Sequence, residues 1–413
     1  MTGYNISKLA NGIHVLSENI PHIKSFSLGF WVNTGSKNEN TKNNGISHFI
    51  EHMMFKGTDK RSAQRLSNEI ESLGGYLNAF TSKEHTCYYG RGLSQNVEKT
   101  FEVISDMILN SRFRENDIKK EIGVVIDELY DIEDSPEELV FEKLETNIYN
   151  GNTLQYPIIG TEKNISSFNR EMILDYIEKY YRNSNLFIVV SGNIKHFEIL
   201  KLADIYLNGR TSKRRLAEKK LALKPCPDIV VKKEVQQVHT VIGKPVVGYN
   251  SNQRSAVNVL SHILGEGSSS RLFQTLREKN GITYQINSFL NSFFNSSTFG
   301  VYFSTNPKNY KRAIELVYKE LEKFQNKPIT KTELDRAKAY IKGNVIMGLE
   351  NTTNRMLRMA QSFIYFNRIK TIEETIYELD SLKLDELIYL SNELFNPDSF
   401  VKTVIAPEDV AIN

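Results

Sequence analysis

Ser47-His48-Phe49-Ile50-Glu51-His52-Met53 places two imidazoles four residues apart with a carboxylate between them. On an α-helix, residues i and i+4 share one face about a turn apart, so His48 and His52 can offer ring nitrogens to a single ion. Glu51 lies on the same side but offset, where it reaches a water on that ion rather than the ion itself. Zinc suits this set: it accepts imidazole and carboxylate ligands, and in catalytic sites it keeps one of its four positions for water, whose pKa it lowers to about 7. Ile46, Phe49, Ile50, Met53, Met54 and Phe55 surround the polar residues and predict a buried helix. Buried histidines and a buried carboxylate need partners, and one cation satisfies all three. A surface helix with solvated histidines is the competing reading, and the apolar flanks argue against it.

Upstream, Ile13–Leu16 and Phe26–Val32 read as strands, the second apolar enough to be central in a sheet. A polar loop from Gly35 to Gly45 leads into the histidine helix, which Gly57 is expected to close. Ser62 opens another helix that ends at Gly74-Gly75, and Tyr76–Phe80 with Thr86–Gly90 form a strand pair. Ser94 is expected to cap a helix running to about Leu109. The next helix, from Glu115 to about Ile132, carries an apolar stripe of Ile118, Ile122, Val125, Leu129 and Ile132. Glu121 and Glu128 border that stripe on one side, two turns apart, and two carboxylates beside a buried face invite a partner. Asp127, Glu133 and Asp134 are rivals by chemical type, although Asp127 points about 100° from Glu128.

Further on, Pro136 begins a helix, Asn169 caps one, Leu186–Ser191 is a buried strand, and a helix starts near His196. The basic stretch Asn208–Arg215, continuing to Pro227, marks a boundary between residues 1–209 and 228–413, with 210–227 as a solvated linker. The second half repeats the first. Laying His262 on His52 puts Asn258 on His48 and Ser261 on Glu51, and an offset four residues shorter matches Gly281 to Gly75 and Tyr284 to Asn78. Two copies of one domain follow, with metal chemistry kept only in the first.

Composition sets outer limits. An apolar share of 40% and a charged share of 24% are those of a globular chain, and a net charge of +3 gives no argument for nucleic acid or an anionic membrane as partner. Cys87 and Cys226 form neither a C-x-x-C pair nor a disulfide framework, so a reducing compartment is the simpler reading. Lys8, Asn11, His14 and Glu18 interrupt any secretory apolar core, and no apolar run approaches the ~18 residues of a membrane span. The expectation is a cytoplasmic protein, or an organelle-matrix one if a targeting segment has been removed.

Four separated blocks, HFIEHMMFKGT, GGYLNAFTSKEHTCYY, EIGVVIDEL and SSSRLFQTLREKNGITY, are similar in order and spacing to those of the pitrilysin-type (insulysin) zinc peptidases. H-x-x-E-H is the inverted zinc-peptidase motif. The length resembles the half-size members, including the mitochondrial processing peptidase and its bacterial relatives. The resemblance implies an α+β fold of two similar domains, each a mixed β-sheet packed with α-helices. It implies one zinc per chain on His48, His52 and Glu128, with Glu51 as general base and Glu121 orienting a ligand from outside. Asn78 and Ala79 match the strand that holds an extended peptide substrate; Arg277 and Tyr284 match an arginine and a tyrosine that reach the scissile bond. The loop Gly265-Glu266-Gly267-Ser268-Ser269 is poorer in glycine than the processing peptidase's non-catalytic subunit, so that subunit's role is not carried over. The expected activity is metalloendopeptidase in a homodimeric chamber, the site completed in trans by the partner. A non-catalytic scaffold or assembly subunit of the same fold is the alternative.

Overall fold

The structure, a computed structural model, describes residues 3–207 and 227–412, which fall into two compact units. The first is built on six strands: β1 Tyr4–Lys8, β2 His14–Asn19, β3 Ser25–Val32, β4 Tyr76–Thr81, β5 Thr86–Leu93 and β6 Leu186–Gly192. Their spatial order is β1-β2-β6-β3-β5-β4. β3 pairs antiparallel with both β5 and β6, and β2 runs parallel to β6. Its interior place explains its run of apolar residues: alternate side chains point to opposite faces, and both faces are covered.

Four helices follow β3 and β5: α1 Ile46–Met54, α2 Ala63–Glu71, α3 Val97–Asn110 and α4 Glu115–Asp134. Phe30 meets Phe101 of α3 edge-on on one face. On the other face Trp31, Cys87, Phe187 and Val189 pack with Met356, Met359, Ala360 and Phe363 of the helix Thr352–Phe366.

The second unit has five strands: β7 Ile229–Lys232, β8 Val238–Val247, β9 Thr283–Ser292, β10 Ser296–Thr305 and β11 Val401–Ala406, ordered β7-β11-β8-β10-β9. This repeats β2-β6-β3-β5-β4 strand for strand. The parallel pair β2–β6 recurs as β7–β11, and the antiparallel neighbours of β3 recur around β8. The helix Arg254–Gly265 stands between β8 and β9 in the chain as α1 stands between β3 and β4. The fold is α+β with two similar domains, and the duplication read from His262 and His52 is visible in the strand order.

Two helical segments do not follow chain order. The first unit takes the chain up to Tyr130, resumes at Tyr156 and includes Gly348–Ile369, whereas Asp131–Gln155 belongs to the second. Helix α5, Pro136–Ile148, buries Leu139, Val140 and Leu144 with Val241, Tyr302 and Ile405 of the second unit. The units are therefore not the continuous stretches 1–209 and 228–413. The apolar face of α5, not its place in the sequence, decides which unit it joins. Residues 210–226 of the expected linker lie outside the described residues. Ser94 is also corrected: Ser94–Asn96 forms a 3-10 turn, and α3 starts at Val97 after Asn96, which makes no side-chain cap. Among the described residues no helix is long and apolar enough to cross a membrane.

Candidate metal centre

α1 buries Ile46, Phe49, Ile50, Met53 and Met54, which turns His48 and His52 to its opposite side with ring centroids 4.6 Å apart. Its N-cap is Gly45 at φ 98, where a Cβ would stand 2.6 Å from the Ile159 carbonyl oxygen and 2.8 Å from Gly160 Cα. Only glycine tolerates both the dihedral and the approach. A glycine cap offers no side-chain acceptor, so Glu39 supplies one from outside the helix. Its Oε2 accepts from Gly45 N at 2.7 Å and Asn44 Nδ2 at 2.8 Å, and its Oε1 from Ser47 N at 2.8 Å. An acidic group at a helix N-terminus also faces the positive end of the dipole. Burial pushes the Glu39 carboxyl pKa up against these hydrogen bonds.

α4 buries Ile118, Val125 and Leu129, and this face fixes its register. Glu128 then reaches both rings. Its Oε1 is 3.7 Å from His48 Nε2 and its Oε2 is 3.4 Å from His52 Nε2. These ligand atoms all lie within 4.8 Å of one another, the one such group of donors found among the described residues. The spacing fits an ion: two ligands each about 2 Å from a tetrahedral zinc are about 3.3 Å apart, wider than a hydrogen bond. Asp127 is exposed, and Asp134 pairs with Lys233 at 3.1 Å in the second unit. Neither joins the set.

The protonation states suit metal binding. Burial, then the neighbouring His52, lowers the His48 pKa to about 3, so that ring is neutral near pH 7 with a lone pair free. His52 Nδ1 lies 2.9 Å from Glu121 Oε1, a contact that holds the proton on Nδ1 and leaves Nε2 as ligand. Burial lowers the His52 pKa, but the Glu121 hydrogen bond and the charge of Glu128 outweigh it and the net direction is upward. Glu121, itself buried, receives Lys56 Nζ at 2.5 Å on its other oxygen.

Glu51 Oε2 accepts a hydrogen bond from Thr81 Oγ1 at 2.6 Å. Burial raises its pKa, and the negative charge of Glu128 adds to that, so Glu51 is a better base than an ordinary carboxylate. Thr81 ends β4, the last strand of the sheet, which pairs only with β5 among the described residues. On the same strand Ala79 N donates to Asn78 Oδ1 at 2.8 Å, and Asn78 Nδ2 donates to Tyr76 Oη at 2.6 Å.

Arg277 and Tyr284 belong to the second unit. Arg277 lies in the π-helical turn Phe273–Lys279 and Tyr284 near the start of β9, the edge strand equivalent to β4. The structure brings the two together, the guanidinium 4.4 Å from the Tyr284 ring centroid, with Tyr284 80% exposed. His262, in the place equivalent to His52, has Glu266 beside it, with Nδ1 and Oε2 3.6 Å apart, and its ring stacks on Tyr340 with centroids 4.6 Å apart. Glu39, Thr81 and Lys56 escaped the sequence reading, since each acts through a contact that helical or strand periodicity does not encode.

Repeated α+β units, of which the first brings two histidines and a carboxylate together beside Glu51, define a duplicated protein with a candidate metal centre in its first unit. The chain belongs to the insulinase family, peptidase family M16. Residues 14–162 match the model of that family and 167–341 that of the M16 inactive domain. It is 33% identical to an uncharacterized zinc protease of Bacillus subtilis, YmxG, over 96% of this chain and 97% of the relative. An uncharacterized zinc protease of Rickettsia felis is 34% identical, with 98% of both chains covered. The fold matches the crystal structure of a protease from Helicobacter pylori with TM-score 0.90 at 23% identity, covering 98% of this chain and 100% of that one.

Proposed function

We propose that this chain is a zinc-dependent endopeptidase with one zinc per chain, acting on peptides bound as an extended strand. The observation that carries the reading is the convergence of His48, His52 and Glu128 beside Glu51, whose carboxylate is tied to the edge strand β4 through Thr81. Zinc held by the three donors would polarise the scissile carbonyl and lower the pKa of a nearby water. Glu51 takes the proton of the attacking water and returns it to the leaving amine nitrogen. The open edge of β4 receives the substrate backbone, where the Ala79 N–H now satisfied by Asn78 Oδ1 passes to a peptide carbonyl. Main-chain pairing of this kind tolerates many side chains, so recognition rests on extended conformation more than on sequence.

Arg277 and Tyr284 complete the site in a homodimer, each pair serving the zinc of the partner chain. The Tyr284 phenol donates to the oxyanion and Arg277 holds a substrate carbonyl. The exposure of Tyr284 supports this assignment, because an aromatic side chain that its own unit leaves bare is available to another surface. A reducing, cytoplasmic setting goes with the buried free thiol of Cys87.

The deciding experiment pairs metal content with turnover. Wild-type protein should cleave a quenched peptide and lose activity on chelation. Glu51→Gln should keep zinc while turnover falls about 100- to 10,000-fold, the range of general acid–base catalysis. Full turnover in zinc-replete Glu51→Gln would remove Glu51 from the mechanism.

A further inference from the structure

Lys56 stands two residues beyond the end of α1, and its backbone N–H donates to the Met53 carbonyl. Its Nζ is 2.5 Å from Glu121 Oε2, while Glu121 Oε1 is 2.9 Å from His52 Nδ1. His52 Nε2 in turn faces Glu128 Oε2 at 3.4 Å, across the space the ion would fill. Lysine, carboxylate, imidazole and metal position thus form one line. Only 4% of the Glu121 side chain is exposed, against 35% of Lys56, so the carboxylate has little solvent to screen it and one cation to share its charge.

That arrangement has a directional consequence. A carboxylate accepting the Nδ1–H of a ligating histidine makes the imidazole a stronger donor to the metal. The effect grows with the negative charge left on the carboxylate, and an ammonium on its far oxygen withdraws that charge. A strong donor holds zinc tightly but quenches its pull on a substrate carbonyl. We propose that Lys56 is a positioning residue that limits, through Glu121, how strongly His52 donates to zinc, keeping the ion electrophilic at some cost in affinity. The proposal rests on the zinc-peptidase reading and extends it to a residue outside the ligand shell.

The test reads zinc affinity of the full chain by competition with a chromogenic chelator, together with kcat. Lys56→Met should bind zinc about five- to tenfold more tightly, as the unshared Glu121 charge beside His52 implies, and turn over more slowly by a similar factor. Lys56→Arg keeps the charge and should restore both values to near those of wild type. A lysine that merely braces the helix end would give the opposite sign, since its loss would loosen His52 and weaken zinc. Action through Glu121 is tested by a double-mutant cycle: in a Glu121→Gln background, Lys56→Met should change zinc affinity less than twofold. Weaker or unchanged zinc binding in Lys56→Met, or an equal effect in both backgrounds, overturns the proposal. Should Lys56→Met fail to fold, as judged by the thermal midpoint of the zinc-free protein, Lys56→Gln is read on the same scale. Failure of the underlying metal site shows separately, as wild-type protein that binds no zinc or a Glu128→Gln variant that binds it undiminished.

Discussion

At the scale of single residues, the centre is defined by which carboxylate faces the imidazoles and which protonation state each ring takes. Glu128 spans both Nε2 atoms, whereas its neighbour Asp127 is exposed. Glu128→Gln should therefore weaken zinc binding at least 100-fold, since an amide is a poor ligand, while Asp127→Asn should leave it within twofold; chelator competition measures both. His48 makes a second prediction. Its folded pKa near 3 lies below the unfolded value of 6.5, so the folded zinc-free protein binds fewer protons than the unfolded chain between those limits. Stability from this group is complete above pH 6.5 and declines as the pH falls toward 3, by up to about 4 kcal/mol. Urea midpoints of the zinc-free protein from pH 7 to pH 4 should show that decline, and His48→Gln should flatten it. A slope unchanged in His48→Gln would assign the acid sensitivity to other groups.

At the scale of elements, the N-terminal end of α1 is held by groups from elsewhere in the chain. Glu39 satisfies the N–H groups of Gly45 and Ser47, and the backbone at Ile159–Gly160 lies against Gly45. Removing Glu39 strands buried donors, and hydrogen bonds to charged groups are worth about 1.5–3 kcal/mol each. Glu39→Ala should lower the unfolding free energy of the zinc-free protein by about 3 kcal/mol, and Glu39→Gln, which keeps an acceptor, by less. An Ala variant as stable as wild type would show that the first turn of α1 needs no such tie. Thr81 plays the corresponding part for Glu51. Thr81→Val removes the hydroxyl at nearly constant shape and should reduce turnover with zinc content unchanged.

At the scale of the whole molecule, the candidate metal donors sit on one sheet unit and the Arg277–Tyr284 pair on its duplicate, with β4 and β9 as equivalent edges. The proposed sharing of sites between two copies predicts complementation. Glu51→Gln and Tyr284→Phe chains, each nearly inactive alone, should recover activity when mixed, because a heterodimer has one site with both residues intact. Random pairing makes half the dimers mixed with one working site of two, about a quarter of wild-type activity. If subunits exchange and nothing returns, the pair acts within its own chain or not at all.

The sequence by itself determined the parts of this protein that depend on local period. His48, Glu51 and His52 were legible because a helix repeats every 3.6 residues and their apolar neighbours mark the buried side. β3 was legible as a central strand because a strand covered on both faces is apolar throughout, and the second half was legible as a worn copy through His262. Tertiary structure alone decided which partners meet across long stretches of chain. Glu39 caps a helix from outside it, Thr81 on a strand reaches Glu51 on a helix, and Lys56 shares Glu121 with His52. It also decided that α5 packs with β8 and β11, and the helix Thr352–Phe366 with β3 and β6. An amphipathic segment records that it has an apolar face but not which sheet will cover it, since burial is non-directional and rewards any matching surface.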